Sequence, residues 1–83
     1  MSLKYEIRPR KDRRGVNLIS EKLSCGALWY AEPNAVENAA RYAQFNAGSE
    51  EAVISICDES GVIAETRNYT PAKQRGAHTL GRL

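Results

Sequence analysis

The stretch "PNAVENAARYAQFNA" (33–47) decides the fold of this 83-residue chain, because it is the one segment with a clear helical period. Pro33 is typical of a helix start, and Asn34 with Glu37 three residues later is the pattern of an N-cap with a reciprocal glutamate. Gly48 is a typical helix stop. One face of the predicted helix is apolar but small, and it consists of Val36, Ala39, Ala40, Ala43 and Ala47.

Five segments around this helix have the composition of strands. In "KYEIR" (4–8), Tyr5 and Ile7 alternate with charged residues, which is typical of a half-buried strand. The turn 58–61 joins the last two strands as a hairpin. The sequence therefore predicts an α+β fold, a small antiparallel sheet with one helix in the order β-β-β-α-β-β. The predicted strands span 4–8, 16–23, 27–31, 52–57 and 62–69.

One helix is too narrow for this sheet. Five strands at about 4.8 Å spacing make a sheet roughly 24 Å wide, whereas a helix is about 10 Å across. We expect the uncovered strip to be too apolar to stay in water, so the sequence predicts a homodimer, joined through the last two strands, that completes the sheet. The candidate dimer contacts are Phe45, opposite the alanine face, and the aromatic strand residues Tyr30 and Tyr69.

The helix segment "NAVENAARYAQ" and the order of the elements resemble the small bacterial YegP-like proteins of unknown function. The matching helix positions are Ala35, Glu37, Asn38, Ala39 and Ala40. The resemblance implies a three-strand, one-helix, two-strand unit, used as a tandem repeat or as a dimer that exchanges C-terminal strands. A single unit in this chain favours the dimer. The resemblance implies no known activity.

The chain is predicted to be one domain, 4–69, followed by a flexible basic tail, 70–83. Its start lacks the pattern of a signal peptide, and no apolar run approaches the ~20 residues of a membrane span. We therefore expect no membrane partner and a cytoplasmic location. Cys25 and Cys57 are too far apart in sequence for a metal or redox motif, so both are expected to be reduced thiols.

Residues that could support catalysis are scarce. His78, the single histidine, lies in the predicted tail, and the acidic pairs at 50–51 and 58–59 flank turns. The sequence has no glycine-rich nucleotide loop and no metal-ligand pattern. It therefore predicts no enzyme, no catalytic residue, no cofactor and no metal site, and favours a non-enzymatic homodimeric interaction or accessory module.

A basic run near the start supports an alternative function. The alternative is weak, sequence-independent nucleic-acid binding through the loop 8–14 and the C-terminal tail. The competing interpretation is a solvated loop whose cations pair with acids such as Asp12. Trp29 and the other aromatic residues can stack on bases, but the interpretation as core and dimer contacts is favoured. The candidate anion-binding residues are Arg8, Arg10, Lys11, Arg13 and Arg14.

Overall fold

The computed structural model describes residues 2–71, which form five strands and one helix in the predicted order. The predicted α+β class is confirmed. Most of the predicted tail, with His78, lies outside the described residues. The elements are β1 (Leu3–Pro9), β2 (Gly15–Ile19), β3 (Ala27–Ala31), α1 (Ala35–Ala47), β4 (Ala52–Cys57) and β5 (Ile63–Tyr69).

The five strands form one mixed sheet in the order β3-β2-β1-β4-β5. β1 and β4 are parallel neighbours, with Leu3 opposite Ala52 and Ile7 opposite Ile56, while the other three pairs are antiparallel. The prediction of a purely antiparallel sheet is wrong at this central pair. The physical reason is the crossover β3–α1–β4: the helix runs back along the sheet, so β4 starts at the same end as β3 and β1.

The core lies between α1 and one face of the sheet. The predicted alanine face is buried at Ala39, Ala40, Ala43 and Ala47, and these small side chains let the helix pack on β1 to β4. Val36 is only half-buried. The largest side chains that are fully buried are Tyr5, Ile7, Leu18 and Ile54.

The other face of the sheet is not covered by any element in the described part of the chain, and its composition is mixed. The central strand β1 contributes Lys4, Glu6 and Arg8 to this open face, whereas the edge strand β3 contributes Trp29, which is 52% exposed. The centre of this face is therefore charged, and an exposed aromatic ring lies at its β3 edge.

The start of α1 differs from the predicted cap. The helix begins at Ala35, and Asn34 adopts a left-handed conformation (φ 64°) that makes no side-chain cap. Only the backbone of Asn34 takes part, since its carbonyl accepts a hydrogen bond from the Asn38 amide at 2.9 Å. Glu37 does not turn back to the cap, because Arg67 on β5 binds it.

The second strand also ends earlier than predicted, at Ile19 instead of position 23. The Ser20 hydroxyl donates to the Lys4 carbonyl at 2.8 Å and accepts from the Lys22 amide at 3.1 Å. This side chain competes with the sheet for backbone partners and starts a turn. The apolar Leu23 is buried from within that turn.

Candidate functional site

The basic run lies at the end of the sheet where the two parallel strands terminate. β1 ends at Pro9 and β4 at Cys57, and these carboxyl ends are neighbours. The loop 10–14 leads from β1 to β2 on one side, and the turn 58–62 leads from β4 to β5 on the other. The two connections diverge, so they border a crevice between them.

Arg10 is the most constrained cation of the run. Its Nε and Nη2 donate to the two carboxylate oxygens of Asp12, both at 3.2 Å, and its Nη1 donates to the Asn17 side chain at 3.2 Å. Its guanidinium carbon also lies 4.4 Å from the centre of the Trp29 ring, at cation–π distance. The Arg10 hydrogen bond holds the pKa of Asp12 below its usual value, aided by the Arg14 backbone amide.

The remaining cations divide into paired and free groups. Arg8 donates to Glu6 at 2.9 Å through Nε, and Arg13 lies 4.0 Å from Glu59. Lys11 and the Arg14 side chain have no acid within 4.0 Å among residues 2–71. The structure thus places all five predicted residues at or near one end of the sheet. It leaves Lys11 and Arg14 with no acidic partner in the described chain.

The turn after β4 is held together by Asp58. One oxygen of its carboxylate accepts hydrogen bonds from the Ser60 amide at 2.9 Å, the Ser60 hydroxyl at 2.6 Å and the Val62 amide at 3.1 Å. These donors hold the pKa of Asp58 below its usual value, so this carboxylate is a structural acceptor and a poor proton donor. Gly61, with φ 89°, takes the left-handed position of the predicted hairpin turn.

The crevice between the two hairpin loops has a volume of about 560 Å³. Its walls include Arg8, Arg10 and Lys11 from the first hairpin and Glu59 and Ser60 from the second. It therefore offers both cationic groups and a carboxylate to a bound molecule.

The three candidate dimer contacts do not lie together. Tyr30 and Phe45 belong to an aromatic row through Tyr42, with ring centres 6.4 Å and 5.9 Å apart, on the side of α1 that faces β3. Phe45 is 78% exposed. Tyr69 lies on β5, at the opposite edge, where its hydroxyl donates to the Gly48 carbonyl at 3.4 Å. The structure therefore does not gather the three residues into one patch.

Two features of β5 were missed at the sequence level. Val62, just before the strand, and Ile63, its first residue, are large apolar residues that are 61% and 55% exposed. Arg67 forms two hydrogen bonds with Glu37, at 3.1 and 2.9 Å, and a third with Glu65 at 2.7 Å. Composition identified the strand, but no sequence signal indicated that it would be an edge or which helix residue would face it.

Within residues 2–71, no cluster of three or more His, Cys, Asp or Glu side chains is placed to hold a metal ion. Cys25 is exposed and Cys57 is buried, and both are free thiols. The helix of the described region is not long and apolar enough to cross a membrane.

No protein-family model, curated protein or solved structure matches the chain. The resemblance to YegP-like proteins therefore stays a prediction.

Proposed function

We propose that this protein is a non-enzymatic interaction module that forms a homodimer through the edge strand β5. The observation that supports this most directly is the position of β5. It is a seven-residue strand at the edge of the sheet, and no described residue pairs with its outer side. Unpaired amide and carbonyl groups along such an edge are a template for another strand. The predicted bacterial and cytoplasmic setting rests on the sequence alone.

The sequence of β5 is complementary to itself. In an antiparallel pair of two β5 strands centred on Thr66, Glu65 faces Arg67 of the partner subunit, and the reverse contact follows by symmetry. The same register places Ile63 opposite Tyr69 of the partner subunit. Opposite charges and apolar–aromatic pairs across neighbouring strands each stabilise pairing by about 0.2–1 kcal/mol. In this register, Glu65 of the partner subunit adds a third carboxylate beside Arg67, which already binds Glu37 and Glu65. The exposed Ile63 gains an apolar neighbour.

Sedimentation equilibrium tests the dimer and its location. The chain is expected to be dimeric at tens of micromolar, roughly the range of weak specific association. Ile63→Lys places a charge in the proposed contact and is expected to shift the equilibrium to monomer. Phe45→Lys makes the same kind of change at an exposed apolar side chain on the helix, so it is the matched control and is expected to leave the dimer intact. A monomeric wild-type chain at these concentrations would falsify the proposal, and the reverse response of the two variants would move the interface to the aromatic row.

A second candidate function is the weak nucleic-acid binding predicted from the basic run. The supporting observation is that Lys11 and Arg14 have no acidic partner among residues 2–71. Arg8 and Arg10 are bound to neighbouring acids, so any affinity is expected to stay near the non-specific range of roughly 10⁻⁴–10⁻⁶ M.

Titration of labelled DNA and RNA oligonucleotides at two salt concentrations tests this candidate. Binding is expected to weaken at higher salt and in the double variant Lys11→Ser/Arg14→Ser. Lys4→Ser/Lys22→Ser removes the same charge from outside the loop and serves as the control. Equal loss of binding in both double variants would show a response to net charge alone and would count against a loop site.

A further inference from the structure

The crevice between the hairpin loops occupies a special place in the topology. β1 and β4 are adjacent and parallel, and their connections leave in opposite directions, one to β2 and the other to β5. In open α/β sheets, ligands bind at the carboxyl ends of such a strand pair because the diverging connections leave a gap between them. Here both connections are hairpins, but the same divergence produces the crevice of about 560 Å³.

Two cations that line this crevice retain hydrogen-bonding capacity. Arg8 uses only Nε in its bond with Glu6, and neither of its Nη groups has a hydrogen-bond partner in the region 2–71. Lys11 has no acid within 4.0 Å in the same region. Arg10, fixed by Asp12 and Asn17, forms a rigid wall beside them. Arg8 at the strand end and Lys11 in the following loop both line the crevice, and cationic side chains of these two types are suited to a phosphate group.

The opposite wall of the crevice contributes a carboxylate, that of Glu59. Glu59 is an exposed carboxylate, and Arg13 is the one cation of the described chain within 4.0 Å of it. Glu59 can accept hydrogen bonds from the hydroxyl groups of a ligand, whereas it would repel a bare polyanion. Asp58 also lines the crevice, and one of its carboxylate oxygens already accepts three hydrogen bonds within the turn. Its other oxygen accepts none among residues 2–71, so it is a second acceptor for a ligand hydroxyl group.

We propose that this crevice binds a small phosphate monoester that carries neighbouring hydroxyl groups, as in a sugar phosphate or a ribonucleotide. Arg8 and Lys11 bind the phosphate, and Glu59 accepts hydrogen bonds from the hydroxyls. The volume falls in the range of about 300–1,000 Å³ that is typical of small-molecule sites. Because the site is open to solvent, a dissociation constant on the order of 0.1–1 mM is expected. The inference is independent of the proposed dimer, since the crevice does not use the outer edge of β5.

NMR titration of the isotope-labelled full chain tests the site. The probes are ribose 5-phosphate, adenosine 5′-monophosphate and inorganic phosphate, with ribose and matched sodium chloride as negative controls. Amide shifts are expected in 8–13 and 58–61 and not around Lys4 and Ser20, at the other end of the sheet. A short RNA oligonucleotide with a 5′-phosphate distinguishes a free ester from the end of a nucleic acid.

Two variants test the two walls of the crevice separately, and a third is the control. Lys11→Ser is expected to weaken ribose 5-phosphate binding about tenfold, the usual effect of losing one charge-assisted hydrogen bond. Lys4→Ser, which removes the same charge at the other end of the sheet, is expected to change ribose 5-phosphate binding less than about twofold, the scale of a screened surface charge. Glu59→Gln is expected to weaken ribose 5-phosphate while leaving inorganic phosphate bound as well or better.

Absence of localised shifts for all three phosphates at roughly tenfold the expected dissociation constant would overturn the inference. Equal effects of Lys11→Ser and Lys4→Ser on ribose 5-phosphate binding would show that binding responds to net charge alone and would count against the site. Binding of the oligonucleotide without binding of either small ester would replace the inference with the nucleic-acid candidate.

Discussion

Gly15, the first residue of β2, lies where the backbone of β3 leaves no space for a side chain. A Cβ atom at this position would lie 2.0 Å from the Tyr30 carbonyl oxygen, and the residue has φ 140°, which is costly for any residue with a Cβ. A glycine between a loop and a strand is typical of a turn. The contact with β3 was not predictable, because it depends on how the third strand pairs with the second.

Gly15→Ala is expected to lower the free energy of unfolding by roughly 2–4 kcal/mol, because it adds a steric clash to backbone strain. Gly26→Ala is the matched control. Gly26 has a left-handed φ of 82° but no atom within 4 Å of the added Cβ, so strain alone applies and the expected cost is about 1 kcal/mol. Urea denaturation of the two variants measures the difference. Equal costs would show that the sheet relaxes around the methyl group added at position 15 without further loss of stability.

At the level of elements, local patterns predicted more than long-range ones. The alanine face of α1 follows from periodicity within a single segment, and the structure buries most of that face. The parallel pairing of β1 with β4 was not predictable, because apolar alternation has the same form in parallel and antiparallel strands. Asn34 is the N-cap residue as predicted, but the reciprocal bond from Glu37 is absent for a related reason. Glu37 has a partner on β5, thirty positions away, which no local pattern contains.

The pair Glu37–Arg67 predicts a pH dependence of stability. Hydrogen bonds and charge from Arg67 lower the pKa of Glu37 below its usual value, and Glu37 and Glu65 together raise the pKa of Arg67. A carboxyl whose pKa is lower in the folded state adds stability above its unfolded pKa, about 4.3 for glutamate, and loses it as the pH falls through the folded value. The link between α1 and β5 is therefore expected to weaken only in acid.

Glu37→Gln is expected to lower the melting temperature near neutral pH and to flatten its decline below about pH 4. Glu51→Gln is the control, since Glu51 has no cation within 4.0 Å in the described residues. Thermal unfolding followed by circular dichroism across roughly pH 3–7, which includes the carboxyl range, measures both variants. Parallel curves for wild type and Glu37→Gln would show that the ion pair adds nothing to stability.

At the level of the whole molecule, the cations of the candidate site were predictable from the sequence, but their acidic partners were not. The cations of the basic run were identified from the sequence, and the structure places them at one end of the sheet. Which of them have an acidic partner among residues 2–71 depends on acids such as Glu59, which the topology brings from the other hairpin. The crevice itself exists only because β4 lies beside β1.

Removal of residues 72–83 tests the predicted domain boundary. These residues show no apolar period in the sequence, and only Leu80 and Leu83 are able to add large apolar contacts. A chain ending at Pro71 is expected to melt close to the temperature of the full chain. A decrease of about 4–8 °C, the equivalent of ~1 kcal/mol in a domain of this size, would show that the segment packs on the body.

The central position of β1 has a consequence for synthesis on the ribosome. β1 is made before the other four described strands but is the middle strand of their sheet, and its parallel neighbour begins only at Ala52. Until then the nascent chain can form β1 to β3 only as a three-stranded sheet, with one side of β1 open. Pairings between distant segments are slow to form, and open strands are prone to associate with other chains. A pause in translation before β4 therefore leaves the inner edge of the future sheet available to other chains.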